Sequence, residues 1–146
     1  QEVGARRRMT PTAFADANVI LRFLVGDPPR LAKRARSLFE AVERGDVRLF
    51  IDELVLAEVA WVLRSFYHFD AARIAAVLQT LLAHEGVEVT DRAGLFEALA
   101  YFAGRNVDFV DALVAVHMVR RGVAEIYSFD ADFDRLPGVT RLVPGA

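Results

Sequence analysis

The sequence predicts an α/β fold, a three-layer α/β/α sandwich with a mostly parallel central sheet. Short apolar runs, which are typical of buried strands, alternate with longer segments whose apolar residues recur every three or four positions, as on helices. Strands that alternate with helices favour parallel pairing through right-handed crossovers, which place helices on both faces of the sheet. The length of 146 residues is that of one ordinary domain.

The predicted elements follow one another without a linker long enough to separate two domains. Strands are predicted at the sequences AFAD, VRLFID, VEV, EIYSFD and TRLVP. Helices are predicted within residues 16–27, 28–45, 52–66, 70–86, 91–104 and 108–122. The segment QEVGARRRMTPT, residues 1–12, has positive charge but no apolar stretch behind it, so we interpret it as a flexible tail rather than a signal peptide. A basic arm that contacts a phosphate backbone is the alternative. Residues 13–146 are then predicted to form a single domain.

The ends of the helices have clear signals. Pro29 lies where a helix can begin, because the N–H that proline lacks would have no helical partner there. Asp52 and Asp70 precede amphipathic segments and are suited to cap them, since an aspartate side chain can accept a hydrogen bond from a free N–H of the first turn. The last two predicted helices end in glycine, at Gly104 and Gly122.

The composition excludes several classes of protein. With 54% hydrophobic and 26% charged residues the chain is typical of a globular protein, and no apolar run approaches the ~20 residues that cross a bilayer. The absence of cysteine excludes disulfides, thiolate zinc sites and cysteine nucleophiles. It also permits a reducing compartment, and we expect a cytoplasmic location. A net charge of -2 argues against a passive, strongly basic nucleic-acid binder.

One segment departs from this charge balance. The sequence PPRLAKRARS carries Arg30, Lys33, Arg34 and Arg36 on a predicted helix. Such a run is either a solvated helix face or a binding patch. The second interpretation requires an acidic, metal-loaded site beside the helix.

Glu58 is the single charged residue in the apolar stretch LVLAEVAWVL, residues 54–63. Leu54 and Trp61 lie four and three positions away, so a helix places them on the same face as Glu58. The sequence therefore predicts a carboxylate that points with apolar side chains away from water. Such a group needs a partner, because an unpaired buried charge costs on the order of several kcal/mol. An arginine, a backbone cap and a cation shared with other acids are the candidates.

Three further acids are predicted near the carboxyl ends of the strands, where open parallel sheets place their functional residues. Asp16 and Asp130 each end an apolar strand, and Asp111 lies in the first turn of the helix after RNVD. With Glu58 they make four carboxylates that we expect to converge on one spot. Simpler roles stay open: Asp16 and Asp130 as strand-ending loop residues, and Asp108 as a helix cap with Asp111 as its capping-box partner.

A set of carboxylates without sulfur or histidine suits Mg²⁺ or Mn²⁺. The histidines, His68, His84 and His117, show no spacing typical of a metal site. Such ions take phosphate oxygens as their remaining ligands, and at an acidic centre they promote hydrolysis of phosphodiesters. The sequence contains no G-x-S-x-G, GxGxxG or Walker pattern that would support acyl transfer or nucleotide binding.

The motifs that carry the acids resemble those of a known family. They are DANVILRFLVGD with Asp16 and Asn18, LAEVAWVL with Glu58, VDFVDALVAV with Asp111, and SFDADFDRLPGV with Asp130. In this order, from residue 13 to 143, the chain resembles the PIN-domain family and, within it, the VapC-type toxins of toxin–antitoxin pairs. The resemblance implies a Mg²⁺- or Mn²⁺-dependent endoribonuclease that acts on RNA, forms a homodimer and is held inactive by a cognate antitoxin.

The same resemblance implies roles for individual residues. Asp16, Glu58, Asp111 and Asp130 are the implied catalytic and metal-binding acids, and Asn18 and Ser128 occupy supporting positions. Two alternatives stay open. Asp132 competes with Asp130 for the fourth acidic role, and Asp108 either joins Asp111 at the site or only caps the helix.

Two other functions stay open as well. A PIN-domain ribonuclease for RNA processing or quality control would have the same site. A non-catalytic, ion-binding interaction module of the receiver type would need a lysine near its acidic pocket, and the single lysine, Lys33, lies in the early basic helix.

We predict that the dimer forms through apolar helix surfaces. The segments 31–43 and 70–85 have wide apolar stripes, and one sheet in so small a domain cannot cover every stripe.

Overall fold

The computed structural model describes residues 10–145, and most of the predicted tail lies outside the described residues. The chain forms two compact units. The first contains the described residues up to Phe69 together with Thr80–Thr90. The second contains Asp70–Gln79 and the described residues from Asp91 onward.

Each predicted helix is present, and we number helices and strands in chain order. The strands are β1 (Thr12–Phe14), β2 (Arg48–Phe50), β3 (Val87–Glu88), β4 (Glu125–Tyr127) and β5 (Thr140–Leu142). The helices are α1 (Ala17–Val25), α2 (Pro29–Glu43), α3 (Glu53–Ser65), α4 (Ala71–Leu82), α5 (Arg92–Gly104) and α6 (Phe109–Arg121). Among residues 10–145, no helix has the length and apolar character needed to cross a membrane.

The predicted end signals explain most of these boundaries. The side chains of Asp52 and Asp70 each accept a hydrogen bond from a first-turn N–H at 2.8 Å. Gly122 ends α6 in the left-handed conformation, at φ 71°, which glycine adopts without steric cost. Helix α5 differs from the prediction, because Gly104 is its last helical residue and Arg105 occupies the cap position.

The strands within each unit pair in parallel, as predicted. In the first unit β1, β2 and β3 form a sheet in that order, with Ala13 opposite Leu49 and Leu49 opposite Val87. In the second unit β4 pairs with β5, and Ile126 lies opposite Arg141. The strands are shorter than the apolar runs that predicted them, and at the ends of three runs Asp16, Asp52 and Ser128 make turn or cap hydrogen bonds instead.

The end of β4 shows this shortening most clearly. The predicted strand EIYSFD stops at Tyr127. The Oγ atom of Ser128 accepts a hydrogen bond from the N–H of Asp130 at 2.9 Å, and a short 3-10 helix, Ala131–Arg135, follows. This 3-10 helix, which positions two of the candidate acids, is not among the predicted elements.

Each unit has its own apolar packing. In the first, α1 packs against α2 and α3, and the rings of Phe23 and Phe39 stack with their centroids 4.0 Å apart. In the second, α5 packs against α6, and Leu99 and Ala112 are fully buried. This packing holds the starts of α1 and α6, where Asp16 and Asp111 lie.

The helices proposed for dimer contact do not have the predicted uncovered stripes. Phe39 and Val42 of α2 are buried, as are Ile74 and Leu78 of α4. The prediction of uncovered stripes is wrong, because most of these apolar side chains are already covered within the chain, and the dimer itself stays a prediction. The exposed apolar side chains lie elsewhere, notably on α3.

Candidate active site

Asp16 connects β1 to α1 and serves as the cap of that helix. Its backbone is extended, at φ -87° and ψ 173°, and its Oδ1 accepts a hydrogen bond from the N–H of Val19 at 3.0 Å. The residue is exposed, and within residues 10–145 its second carboxylate oxygen has no hydrogen-bond partner. Capping therefore uses only one of the two oxygens, and the other is free to bind a ligand.

Asn18 lies in the first turn of the same helix and is also exposed. Its side chain lines a cavity of about 270 Å³ between α1 and α2, and Arg34 lines the same cavity from α2. The Asp16 end of α1 is therefore adjacent to a basic side chain.

Glu58 shares a face of α3 with Leu54 and Trp61, as predicted, but that face is open to solvent. Leu54 is 80% exposed and Trp61 is 68% exposed, and Glu58 is exposed between them. Within residues 10–145, Glu58 forms no hydrogen bond or salt bridge. The prediction of a carboxylate turned away from water is wrong, and an exposed carboxylate does not require any of the three candidate partners.

The error has a physical reason. Helix α3 is apolar on nearly all sides, and it buries the face formed by Leu56, Val59 and Leu63. When both faces of a helix are apolar, the spacing of the apolar residues does not indicate which face meets the core. The exposed face of α3 consequently combines large apolar side chains with one carboxylate.

Asp108 and Asp111 lie at the start of α6. Asp108 occupies the cap position, at φ -66° and ψ 150°, but its side chain makes no capping hydrogen bond. Asp108 therefore lies at the predicted cap position, but the capping hydrogen bond expected from its side chain is absent. Asp111, half-buried in the first turn, also forms no hydrogen bond or salt bridge among the described residues.

The surroundings of Asp111 disfavour its charge. Burial raises the pKa of the Asp111 carboxyl above its usual value, and the negative charges of Asp108, Asp130 and Asp132 raise this pKa further. The four aspartates belong to the second unit. An acid with a raised pKa among other acids is typical of a functional site rather than of a group that stabilises the fold.

Asp130 and Asp132 differ in their partners. Asp130 caps the 3-10 helix through Oδ1, which accepts a hydrogen bond from the N–H of Asp132 at 2.9 Å, and among the described residues it forms no salt bridge. The Oδ1 atom of Asp132 instead lies 2.7 Å from Nη1 of Arg135, with which it forms a salt bridge. The spacing of three residues in DFDR is a signal for this pair that the sequence analysis missed.

The donor atoms around Asp111 suit a hard divalent cation, since they are carboxylate oxygens that carry an excess of negative charge. Within residues 10–145, however, no three aspartate, glutamate or histidine side chains lie close enough together to form a metal-binding group. Asp16 and Glu58 belong to the first unit, and Asp111 and Asp130 belong to the second. The site of four carboxylates stays a prediction.

Comparison with known proteins identifies the family. Residues 13–139 match the sequence profile of the PIN domain, and the chain belongs to the PIN domain family. The α/β fold and the family resemblance predicted from the sequence are thereby confirmed. The chain is also similar to the VapC ribonuclease of Aquifex aeolicus (strain VF5), with 28% identity over 121 residues, which cover 83% of this chain and 89% of that protein.

Proposed function

We propose that this chain is a metal-dependent endoribonuclease that acts as the toxin of a toxin–antitoxin pair. The observation that carries the proposal is the half-buried Asp111, whose charged neighbours are other acids and which forms no salt bridge among the described residues. The chain is also similar to a VapC ribonuclease. Like charges held together in a partly buried place destabilise the fold unless a cation offsets them. A cation would also reverse the local field, which otherwise repels a phosphodiester.

Asp16, Glu58, Asp111 and Asp130 are the acids that would hold Mg²⁺ or Mn²⁺. When bound, such a cation supplies activation of water and stabilisation of the leaving oxygen in phosphodiester hydrolysis. Asp130 is a better fourth acid than Asp132, because Asp132 is already paired with Arg135. The fold uses only one oxygen of Asp130, as it does for Asp16.

Supporting residues position these acids. The Ser128 hydroxyl accepts the hydrogen bond from the N–H of Asp130 and so fixes the turn that presents the Asp130 carboxylate. Asp108 is free to join Asp111, since its side chain does not cap α6. The exposed amide of Asn18, two residues after Asp16, is suited to donate a hydrogen bond to a substrate phosphate.

The proposal includes a homodimer, a cognate antitoxin and a cytoplasmic location. Leu54 and Trp61 support a protein partner, because they expose a large apolar surface on the helix that carries Glu58. A partner that covers this face would also cover Glu58 and thereby inhibit the enzyme.

The test is cleavage of single-stranded RNA by the purified chain in Mg²⁺, in Mn²⁺ and in EDTA. We expect cleavage with either metal and none with EDTA. Asp111→Asn should abolish cleavage, whereas Asp91→Asn, which removes a hydrogen-bonded acid from the same unit, should retain it. Undiminished cleavage in EDTA would rule out the metal-dependent reaction.

A growth experiment separates a toxin from a ribonuclease of RNA processing. Induced expression of the chain should arrest growth, Asp111→Asn should not, and co-expression of a small protein encoded beside it should restore growth. Cleavage of RNA in vitro without growth arrest would overturn the toxin role and leave the ribonuclease assignment intact.

A further inference from the structure

We infer that one face of α2 binds the phosphate backbone of the RNA beside the Asp16 end of α1, an inference that rests on the proposed ribonuclease function. We call this surface the α2 basic face and define it as Arg30 and Arg34, which lie one turn apart on the same side of the helix. These side chains are exposed, and within residues 10–145 neither forms a hydrogen bond or a salt bridge. The sequence alone is compatible with both a solvated face and a binding patch at this basic run.

The side chains of the α2 basic face differ from two other arginines of the first unit, which pair with acids. Arg44 pairs with Asp46, and Arg48 pairs with Glu88. The α2 basic face has no such acids, and the first turn of α2 contains no acidic residue. Its positive charge is therefore available to an external anion, although the whole chain has a net charge of -2.

The placement of Arg30 argues against a role in helix stability. Arg30 lies in the first turn of α2, directly after Pro29. The helix dipole is positive at this end, so a cation there is unfavourable. A residue that breaks a local stability rule without a compensating contact is a candidate for function.

The cavity between α1 and α2 connects this face to the candidate active site. Arg34 lines the cavity from one side, and Asn18 lines it from the other. Asn18 follows the metal-binding candidate Asp16 by two residues. A phosphate held by Arg34 would therefore lie next to the Asp16 end of α1, while Arg30, one turn earlier and about 6 Å along the helix, would contact a neighbouring phosphate.

Arg36 provides a matched control. It lies on the same helix, is exposed and also lacks a hydrogen bond or salt bridge among residues 10–145. Two positions along a helix correspond to a rotation of about 200°, so Arg36 points away from the side that Arg34 faces. Arg34→Ala and Arg36→Ala remove the same charge from opposite sides.

The test is binding of a fluorescent single-stranded RNA of ~12 nucleotides in EDTA at several salt concentrations. Each lost phosphate contact should lower the salt slope by about 0.7 and weaken binding about eightfold near ~50 mM salt. We expect this loss for Arg34→Ala. The double variant, Arg30→Ala with Arg34→Ala, should change the salt slope twice as much. Arg36→Ala should bind RNA as the parent does. Melting temperatures should stay unchanged or rise slightly, because only Arg30 opposes the helix dipole.

The outcomes separate the inference from the proposed function. Equal losses for Arg34→Ala and Arg36→Ala would mean that only net charge matters and would overturn the inference. If Arg34→Ala binds RNA as the parent does but no longer binds a poly-glutamate peptide, the surface is a protein-docking face. This result would also overturn the inference. In both cases RNA binding by the parent keeps the proposed function, whereas a parent that neither binds nor cleaves RNA overturns both.

Discussion

Asp91 and Asp108 occupy the same position at the start of two successive helices in the second unit, yet their carboxylates have opposite surroundings. Asp91 uses both oxygens: Oδ1 accepts from the N–H of Gly94 and Oδ2 accepts from Nε of Arg120, each at 2.9 Å. The bond from Gly94, followed by that from Arg120, lowers the pKa of Asp91. Asp108 makes no such bonds, and its charge raises the pKa of Asp111.

The two helices also differ in the residue three positions after the cap. After Asp91 this residue is Gly94, whose N–H reaches the carboxylate, whereas after Asp108 it is another acid, Asp111. Arg120, in the last turn of α6, also forms a salt bridge with Asp91. One carboxylate is thus part of the fold, and the other belongs to an acidic cluster that the fold does not neutralise. Substitutions at the two sites should therefore separate stability from activity.

The largest effect is expected from Asp111→Asn. Supporting residues around a metal typically contribute 10–100-fold, so if Asp111 is a direct ligand, as proposed, its loss should lower RNA cleavage by about 100-fold or more. Without metal, the variant should be as stable as the parent or more stable, because it removes a desolvated charge that faces other acids. Thermal melts in EDTA and cleavage rates in Mg²⁺ measure the two quantities. A variant that melts well below the parent yet cleaves RNA normally would make Asp111 a structural residue.

Glu58→Gln is expected to have the next largest effect, and on activity alone. Since Glu58 is exposed without a salt-bridge partner in residues 10–145, the free energy of unfolding should stay within ~0.5 kcal/mol of the parent. Cleavage should nevertheless fall strongly if Glu58 binds the metal. Chemical denaturation and the Mg²⁺-dependent rate test this together. Full activity of the variant would remove Glu58 from the site.

Glu58 also shows what the sequence predicted and what it did not. The helices were predictable because each begins or ends at a local signal, such as Asp52 at α3 or Gly122 at α6. Which side of α3 is exposed was not predictable, since burial depends on the element that a helix packs against. A helix that is apolar on both sides can bury either of them.

The roles of the acids show the same division. Asp16, Asp111 and Asp130 were predicted as site acids from their places next to strands and helices, which the local sequence indicates. The missing cap bond of Asp108 and the pairing of Asp132 with Arg135 depend on side-chain conformations. Spacing alone permits both a bond and its absence at such positions, so the sequence left these two alternatives open.

A moderate loss of stability is expected from Gly94→Ala. A Cβ atom at Gly94 would overlap the Asp91 carboxylate and lie 3.1 Å from Cγ1 of Val116. We expect a loss of about 1–3 kcal/mol, because the overlap displaces the cap of α5. Gly104→Ala in the same helix is the control: its Cβ meets nothing within 4 Å, so stability should stay constant or rise by up to ~1 kcal/mol. Equal melting temperatures for the two variants would contradict this account of the cap.

The smallest effect is expected from Asp91→Asn, and it should depend on pH. Asparagine still caps a helix, so the variant mainly loses the ion pair with Arg120, which is partly exposed and contributes about 0.2–1 kcal/mol. The pKa of Asp91 is lowered in the folded state from the usual 3.8, so its contribution is present above that value and disappears as the pH falls through the lower folded pKa. Denaturation at neutral pH should therefore show Asp91→Asn to be less stable than the parent, and the two should converge in acid. A difference that persists or grows below the folded pKa would mean that the ionised carboxylate is not what stabilises this end of α5, and Asp91 would then lose its contrast with Asp108.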